Sequence, residues 1–511
     1  MSTRLTIPHA VLAAAERWPE TPAVIDGERR LSFRELAEQM MAAAAGFVAA
    51  GLREGERVAL WAPNSLDWIV ACLGLQAAGG VLVPLNTRFK GGEAEFILRR
   101  SGTAMVVAAE EFLGVRYADI VAGLDLPALR RVISPGIDWD GFIAHVDDAA
   151  RAEARRRVEA LMPDDLSDIM FTSGTTGEPK GVMATHSQSL RTGQLWARAT
   201  SLDLGDRFAI LWPFFHCSGY KGGWLPCIAV GATTLPVATL DVPHLLAMVE
   251  REHVTFLPGP PTLFQTLLAL PDRKPGLLSS VRVSVTGASS VAPSMIEAMR
   301  DDLGVPIVLT GYGLTETCGT ATMSGPDDPP ETVTNSCGRA IEGVELQVVD
   351  DQGQLLPNGE SGEILIRGMN VMLGYLDDPE ATAEAIDSGG WLHTGDVGVL
   401  DHEGYLRITD RKKDVFIVGG FNCYPAEIEK MLLAHPAILQ VAVAGVPDER
   451  MGEVGKAYVV RKDDAQLSAE ELIAWSRERM ANFKVPRQVA FVAALPTNAT
   501  GKVQKFKLEE S

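Results

Sequence analysis

A long apolar run is missing from these 511 residues. Nowhere do about 20 apolar side chains follow one another, which excludes an obvious membrane-spanning helix. The most apolar early stretch, Trp68 to Leu85, is interrupted by Gly74, Gly79, Gly80 and Pro84, and reads as helix, turn and strand. The opening MSTRLTIPHAVLAAAERWPE turns charged before any small-residue cleavage site, so it makes a poor signal peptide and a cytoplasmic setting is expected. Paired cysteines are missing too. Cys72, Cys217, Cys227, Cys318, Cys337 and Cys423 are scattered, with no CxxC and no His/Cys cluster at metal-ligand spacing, which fits a reduced compartment. The sequence also lacks a basic surplus. A net charge of −20 argues against nucleic acid as the main partner, because phosphate backbones call for a basic surface. No internal repeat and no low-complexity tract is present apart from Ala-rich helix.

The remaining composition, 46% apolar and 22% charged, is that of a globular protein long enough for two or more structural units. Charge is unevenly spread. Residues 411 to 511 hold 15 Lys/Arg against 13 Asp/Glu, or +2, leaving −22 for the first 410, so a polyanionic ligand prefers the last hundred residues.

In the first hundred residues β-rich runs (PAVID, RVALWAP, VLVPLN, AMVVAA) alternate with helical ones (LSFRELAEQMMAAAAGFVAAGL, SLDWIVACLGLQAAGG, EAEFILRRSG). That order predicts α/β layers with mainly parallel strands. From about 335 to 410 the pattern changes to short alternating strands with Gly turns, which predicts a β-rich subdomain. The charged run DRKKD precedes a final α+β unit of about a hundred residues. The expected division is 1–410 and 411–511.

The sharpest local signal is TSGTTGEPKG, Thr172 to Gly181, behind the apolar DIMF. Small hydroxyl residues and two glycines let such a loop turn N–H groups and hydroxyls inward as a nest for phosphate, and Lys180 adds charge. GxxxxGK[ST] does not fit it, so this is not a Walker A loop.

TSGTTGEPKG resembles the phosphate loop of the adenylate-forming superfamily, which holds acyl-CoA synthetases, luciferases and peptide-synthetase adenylation domains. The likeness recurs in order as VTGASS (285–290), GYGLTET (311–317), WLHTGD (391–396), ITDRKKDVFIVGGFNCYPAEIE (408–429) and PTNATGK (496–502). The resemblance implies a large α/β multi-layer N-terminal domain, with parallel-rich sheets plus the β-rich subdomain, and a small mobile α+β C-terminal domain. It also implies ATP, Mg²⁺ and coenzyme A, with a small-molecule carboxylic acid as the other substrate.

Residue by residue, the resemblance gives Thr172, Ser173, Gly174, Thr175, Thr176, Gly177 and Lys180 to the triphosphate. Gly287, Ala288 and Ser289, with Gly311, Tyr312 and Gly313, resemble the walls of an adenine slot. Thr315 looks like the hydroxyl donor to the α-phosphate and Glu316 like the Mg²⁺ carboxylate, since Mg²⁺ favours one or two carboxylates plus phosphate oxygens and water. Asp396 and Arg411 are similar to the ribose ligands. Lys502 resembles the ammonium that bridges attacking carboxylate and α-phosphate, stabilising charge as two anions meet.

The resemblance also places a hinge two residues after the ribose arginine, at Lys413, where many relatives carry Asp. Rotation there would exchange Lys502 for the segment VGGFNCYP, whose Gly419, Gly420 and Phe421 would line the pantetheine arm of coenzyme A. Lys412, Lys430, Arg477, Arg479, Lys484 and Arg487 are candidates for its phosphates, or solvated charges.

In WPFFHCSGYKGGW (212–224) His216 stands where amino-acid-adenylating domains place an Asp, which disfavours an amino-acid substrate. His216 resembles the aromatic gate of CoA ligases. Tyr220, Lys221 and Trp224, with Thr286 and Thr310, are the expected acyl-pocket residues. Lys221 could meet a ketone or second carboxylate of the substrate, or point to solvent. No carrier-protein domain follows, so coenzyme A is the expected acceptor, and homodimers are common in the family. The chain looks similar to bacterial ligases for medium-chain, aromatic and alicyclic acids, among them actinobacterial ligases of steroid-derived ring propanoates. Two alternatives stay open at this point: an acyl-adenylate ligase serving a carrier protein, and a non-catalytic adenylate-binding protein.

Overall fold

The computed structural model describes residues 5–508 apart from 135–138, 145, 173–178, 272, 287–292, 412–413, 415, 419–420, 424, 449–450, 464, 481 and 498–502. The first layer forms where the sequence marks it. Ser32 caps the helix Phe33–Ala49: its hydroxyl accepts the Glu35 N–H at 3.3 Å, while the Glu35 carboxylate accepts the Ser32 N–H at 2.8 Å. The run of alanines lets this helix close on the helix Leu66–Ala77. Gly74 sits at the crossing, where a Cβ would lie 2.4 Å from the Ala43 methyl. Trp68 to Leu85 is indeed helix, turn and strand, the strand being Val81–Pro84.

A seven-stranded sheet supports the site. Its order across the sheet is Gly374–Tyr375, Lys180–Thr185, Leu166–Thr172, Val81–Pro84, Arg57–Trp61, Met105–Ala108 and Arg131–Ile133. The last five run parallel, as the alternating pattern predicts, and Lys180–Thr185 returns antiparallel to Leu166–Thr172. A second sheet joins Arg29–Ser32, Pro22–Asp26, Thr233–Pro236 and Arg207–Ile210, with the last three parallel. Between the two lie the aromatic and aliphatic side chains of the main core, including Trp68, Phe214, Tyr220 and Trp224.

The predicted β-rich subdomain is an antiparallel sheet of Val344–Val349, Ser361–Gly368, Leu392–Leu400 and Leu406–Arg411. The chain then changes sheet. Phe416–Val418 pairs with Phe421–Cys423 and joins Gly452–Arg461, Ile438–Asp448 and Gln488–Phe491, packed with the helices Pro425–Leu433 and Ala469–Arg477 around a separate apolar core. This is the α+β unit expected at the C-terminal end. Among the described residues, no helix is long and apolar enough to cross a membrane.

Candidate active site

Thr172 ends one strand and Lys180 begins the next, directly opposite it in register, so the two residues form the base of the phosphate-loop hairpin. Ser173, Gly174, Thr175, Thr176 and Gly177 lie outside the described residues. Lys180 leans over the ring of Tyr375, with its ammonium 5.1 Å from the ring centroid. The Tyr375 hydroxyl in turn donates to Glu316 Oε1 at 3.0 Å. Burial first, and the Glu316 charge next, hold the Tyr375 phenol above its ordinary range, so it is a neutral donor. Thr172, Lys180 and Glu316 were expected at the phosphates; Tyr375 was not.

The turn Thr315–Thr317 is one short 3₁₀ segment held at both ends. The Glu316 carbonyl accepts the Met372 N–H at 2.8 Å, and Thr317 Oγ1 accepts the Leu314 N–H at 2.9 Å. Gly313 allows its close approach to the chain beyond: a Cβ on it would lie 2.4 Å from the Gly319 carbonyl oxygen. On the strand before it, Gly311–Tyr312, the Tyr312 hydroxyl donates to Asp396 Oδ2 at 2.6 Å. Asp396 is buried and stands opposite Arg411 in the antiparallel register, so the two expected ribose ligands are cross-strand neighbours. For Arg411 only the backbone is described. Asp396 also helps burial push the nearby Cys337 thiol up to about 11.

His216 begins the turn Cys217–Gly219, accepting the Ser218 N–H on Nδ1 at 3.2 Å and meeting the Ser218 hydroxyl at 2.8 Å. Its Nδ1 is 3.6 Å from the Cys217 sulfur. Burial works against charge on either group, but their mutual attraction draws the imidazole up and the thiol down. Cys217 also lies close to Gly319, where a Cβ would be 3.0 Å from the Cys217 Cβ.

Three expected acyl-pocket residues take other places. Tyr220 and Trp224 are 0% and 1% exposed, stacked on each other at 5.0 Å and packed around Trp68, with the Tyr220 hydroxyl 2.9 Å from Gln76 Nε2. They belong to the core between the sheets. Lys221 neither points to solvent nor offers an uncommitted ammonium to a ketone: at 1% exposure it meets Asp168 Oδ1 at 2.8 Å. Sequence position alone suggested a pocket lining; all three stand on a five-residue π-helical turn, Tyr220–Trp224, whose residues are buried. Thr286 follows the strand Val283–Val285 with its hydroxyl buried and no partner among the described residues, and Thr310 is half-buried, its N–H held by Ser324.

Gly287, Ala288, Ser289, Lys413, Gly419, Gly420 and Lys502 lie outside the described residues. Phe421 is described in backbone only, paired with Val418 in antiparallel register. Of the basic candidates for coenzyme A, Lys430 reaches back to Asn335 at 2.5 Å, Arg479 meets Glu478 and the Trp475 ring, and Arg487 meets Asn482.

Among the described residues no group of three or more His, Cys, Asp or Glu gathers as a metal cage. One carboxylate, Glu316, among hydroxyls suits Mg²⁺, whose remaining ligands are ordinarily phosphate oxygens and water.

The Thr172–Lys180 hairpin base, the Glu316 turn with Tyr375, and the buried Asp396 opposite Arg411 all lie on the large α/β part of the chain. The chain belongs to the AMP-binding enzyme family, which it matches over residues 11–376, with the AMP-binding enzyme C-terminal domain over residues 427–502. It is 48% identical, over 99% of its length and 98% of theirs, to two ligases. Both are named 3-[(3aS,4S,7aS)-7a-methyl-1,5-dioxo-octahydro-1H-inden-4-yl]propanoyl:CoA ligase, one from Rhodococcus jostii and one from Mycobacterium tuberculosis. Among solved structures, the ATP-bound MatB of Rhodopseudomonas palustris matches with a TM-score of 0.90 at 29% identity, over 99% of each chain. The anthranilate CoA ligase AuaEII with anthranoyl-AMP gives 0.88 at 28% identity, over 100% of this chain and 98% of that one. The protein is therefore an AMP-forming acid–thiol ligase: it converts a carboxylic acid through acyl-AMP to acyl-CoA with ATP.

Proposed function

We propose that the acid is a propanoate carried on a saturated bicyclic ring with ketone groups. The observation that carries this reading is 48% identity, end to end, with two ligases named for such an acid. Thr286 supports it. Diketones only accept hydrogen bonds, and a buried hydroxyl with no partner among the described residues is a donor suited to one.

In this reading the acid's carboxylate oxygen attacks the α-phosphorus of ATP, the α–β bridging P–O bond breaks, and pyrophosphate leaves. Thr315 donates to the α-phosphate, and the Thr172–Lys180 hairpin holds the β- and γ-phosphates. Asp396, aimed by Tyr312, holds the ribose with Arg411. Mg²⁺ on Glu316 would neutralise triphosphate charge. Lys502 bridges the two anions as they meet. Rotation about Lys413, between domains 1–410 and 411–511, then withdraws Lys502 and presents Gly419, Gly420 and Phe421 to coenzyme A. The thiol sulfur attacks the acyl carbon and AMP leaves, with His216 at the gate beside the acyl carboxylate. A cytoplasmic, homodimeric enzyme accompanies this reading, the dimer being testable by sedimentation.

Pyrophosphate release measured with and without coenzyme A tests it. The panel is the bicyclic dione propanoate, octanoate, benzoate and malonate. The ring propanoate should give the highest kcat/KM by at least about a hundredfold, the discrimination expected when buried polar groups lose their partners. A preference for octanoate would instead assign a medium-chain enzyme and refute the ring-propanoate reading.

A further inference from the structure

The chemistry assigned above does not use the buried Lys221–Asp168 ion pair. The Lys221 ammonium is 1% exposed, and taking an ammonium out of water is costly unless partners compensate. Here the partners are specific. Asp168 Oδ1 lies at 2.8 Å and the Cys318 sulfur at 3.7 Å. Asp168 is itself fixed, its Oδ2 accepting the Ser167 hydroxyl at 2.7 Å and the Ser189 hydroxyl at 3.0 Å.

Each partner belongs to a different piece of the site. Asp168 lies on the strand Leu166–Thr172, which runs directly into the phosphate loop. Cys318 is the residue after Thr315, Glu316 and Thr317. Lys221 itself is five residues beyond His216.

A second observation concerns the backbone. Cys318 adopts φ 52°, the left-handed region that a residue with a Cβ occupies only when its surroundings hold it there. The neighbouring Gly319, at φ 90°, is pressed so closely on the gate segment that a Cβ would lie 3.0 Å from Cys217 Cβ. The strained point of the phosphate turn is thus clamped between Cys217 and the Lys221 ammonium.

Resting on the site reading above, we infer that the Lys221–Asp168 pair is a positioning device for adenylation. It fixes the His216 segment, the strand entering the phosphate loop and the Thr315–Glu316 turn relative to one another, with Cys318 as the link to the turn. Both charges are enclosed and matched, so the pair acts through these segments and not on the substrate.

ATP–pyrophosphate exchange with three variants separates positioning from simple stability. Cys318→Gly places at φ 52° a residue that tolerates it, so the thermal midpoint should stay close to that of the wild type. Its kcat should nevertheless fall by about tenfold or more, with KM for ATP changing by less than about threefold, because a displacement on the order of 1 Å suffices for such a loss. Cys318→Ser keeps an acceptor for the ammonium and should recover most of that kcat. The double variant Asp168→Asn with Lys221→Met removes both charges together and should show the same kcat loss while folded. Wild-type kcat in a folded Cys318→Gly overturns the inference, as does a loss that Cys318→Ser fails to repair. If the double variant does not fold, the two Cys318 variants decide the matter. A wild-type enzyme inactive on every acid tested would instead strike the functional reading, leaving a distinct signature.

Discussion

Replacing Tyr375 by Phe removes a single oxygen from the site and leaves the ring. That oxygen donates to Glu316 Oε1 at 3.0 Å, and the ring below it carries the Lys180 ammonium at 5.1 Å from its centroid. Because burial and the Glu316 charge hold the phenol above its ordinary range, the hydroxyl keeps its proton throughout the working pH range and always donates. A hydrogen bond to a charged acceptor contributes about 1.5–3 kcal/mol, and at this half-buried position water replaces part of it, which favours the lower figure. About 1.5 kcal/mol corresponds to roughly a tenfold fall in kcat/KM for MgATP. ATP–pyrophosphate exchange titrated with Mg²⁺ measures this directly, and the half-maximal Mg²⁺ concentration should rise alongside. Tyr375→Ala, which also removes the seat of Lys180, should lose more. A Tyr375→Phe enzyme within twofold of the wild type in both quantities would refute the view that this hydroxyl aims the Glu316 carboxylate.

Lys502→Ala should abolish adenylation while sparing thioester formation from supplied acyl-adenylate; at about 4 Å and an effective dielectric of about 20 the lost contact is on the order of 4 kcal/mol, roughly a thousandfold. Equal loss in both half-reactions, followed by single-turnover assays, would remove that assignment. Gly313→Ala must force apart two turns, since its Cβ would sit 2.4 Å from the Gly319 oxygen, and should cost about a hundredfold in exchange rate; near-normal exchange would mean that the turn yields without moving Thr315 and Glu316. Burial, with His9 nearby, pushes the His186 imidazole down to about 3, so between pH 6.5 and 3 the unfolded chain binds a proton that the folded chain refuses. Stability should therefore fall as pH falls through this window, by about 2 kcal/mol at pH 5, and thermal melts of His186→Gln should show a shallower acid slope.

How much of the site was legible depended on how local each device is. The candidate residues Thr315, Glu316, Asp396 and Arg411 were named through their resemblance to short family motifs, which are local in the chain, and the structure brings Glu316 to Tyr375 and sets Asp396 opposite Arg411. The alternation of strands and helices likewise showed in the sequence, since period and length are properties of contiguous segments. Tyr375 left only a weak trace. It reaches Glu316 through a two-residue strand that pairs with Val182 and Met183, a contact across 59 residues that no spacing announces.

The sequence by itself determined the order of helices and strands and, through its resemblance to the adenylate-forming superfamily, the class of reaction, because period and short motifs are properties of contiguous residues that need no knowledge of the whole fold. Only the tertiary structure decided that Tyr220 and Trp224 are core aromatics and that Lys221 is matched by Asp168, 53 residues earlier in the chain. Burial and charge pairing depend on which segments are pressed together. The lysine that in a linear motif reads as either a substrate contact or a solvated charge is, in the folded chain, buried against Asp168.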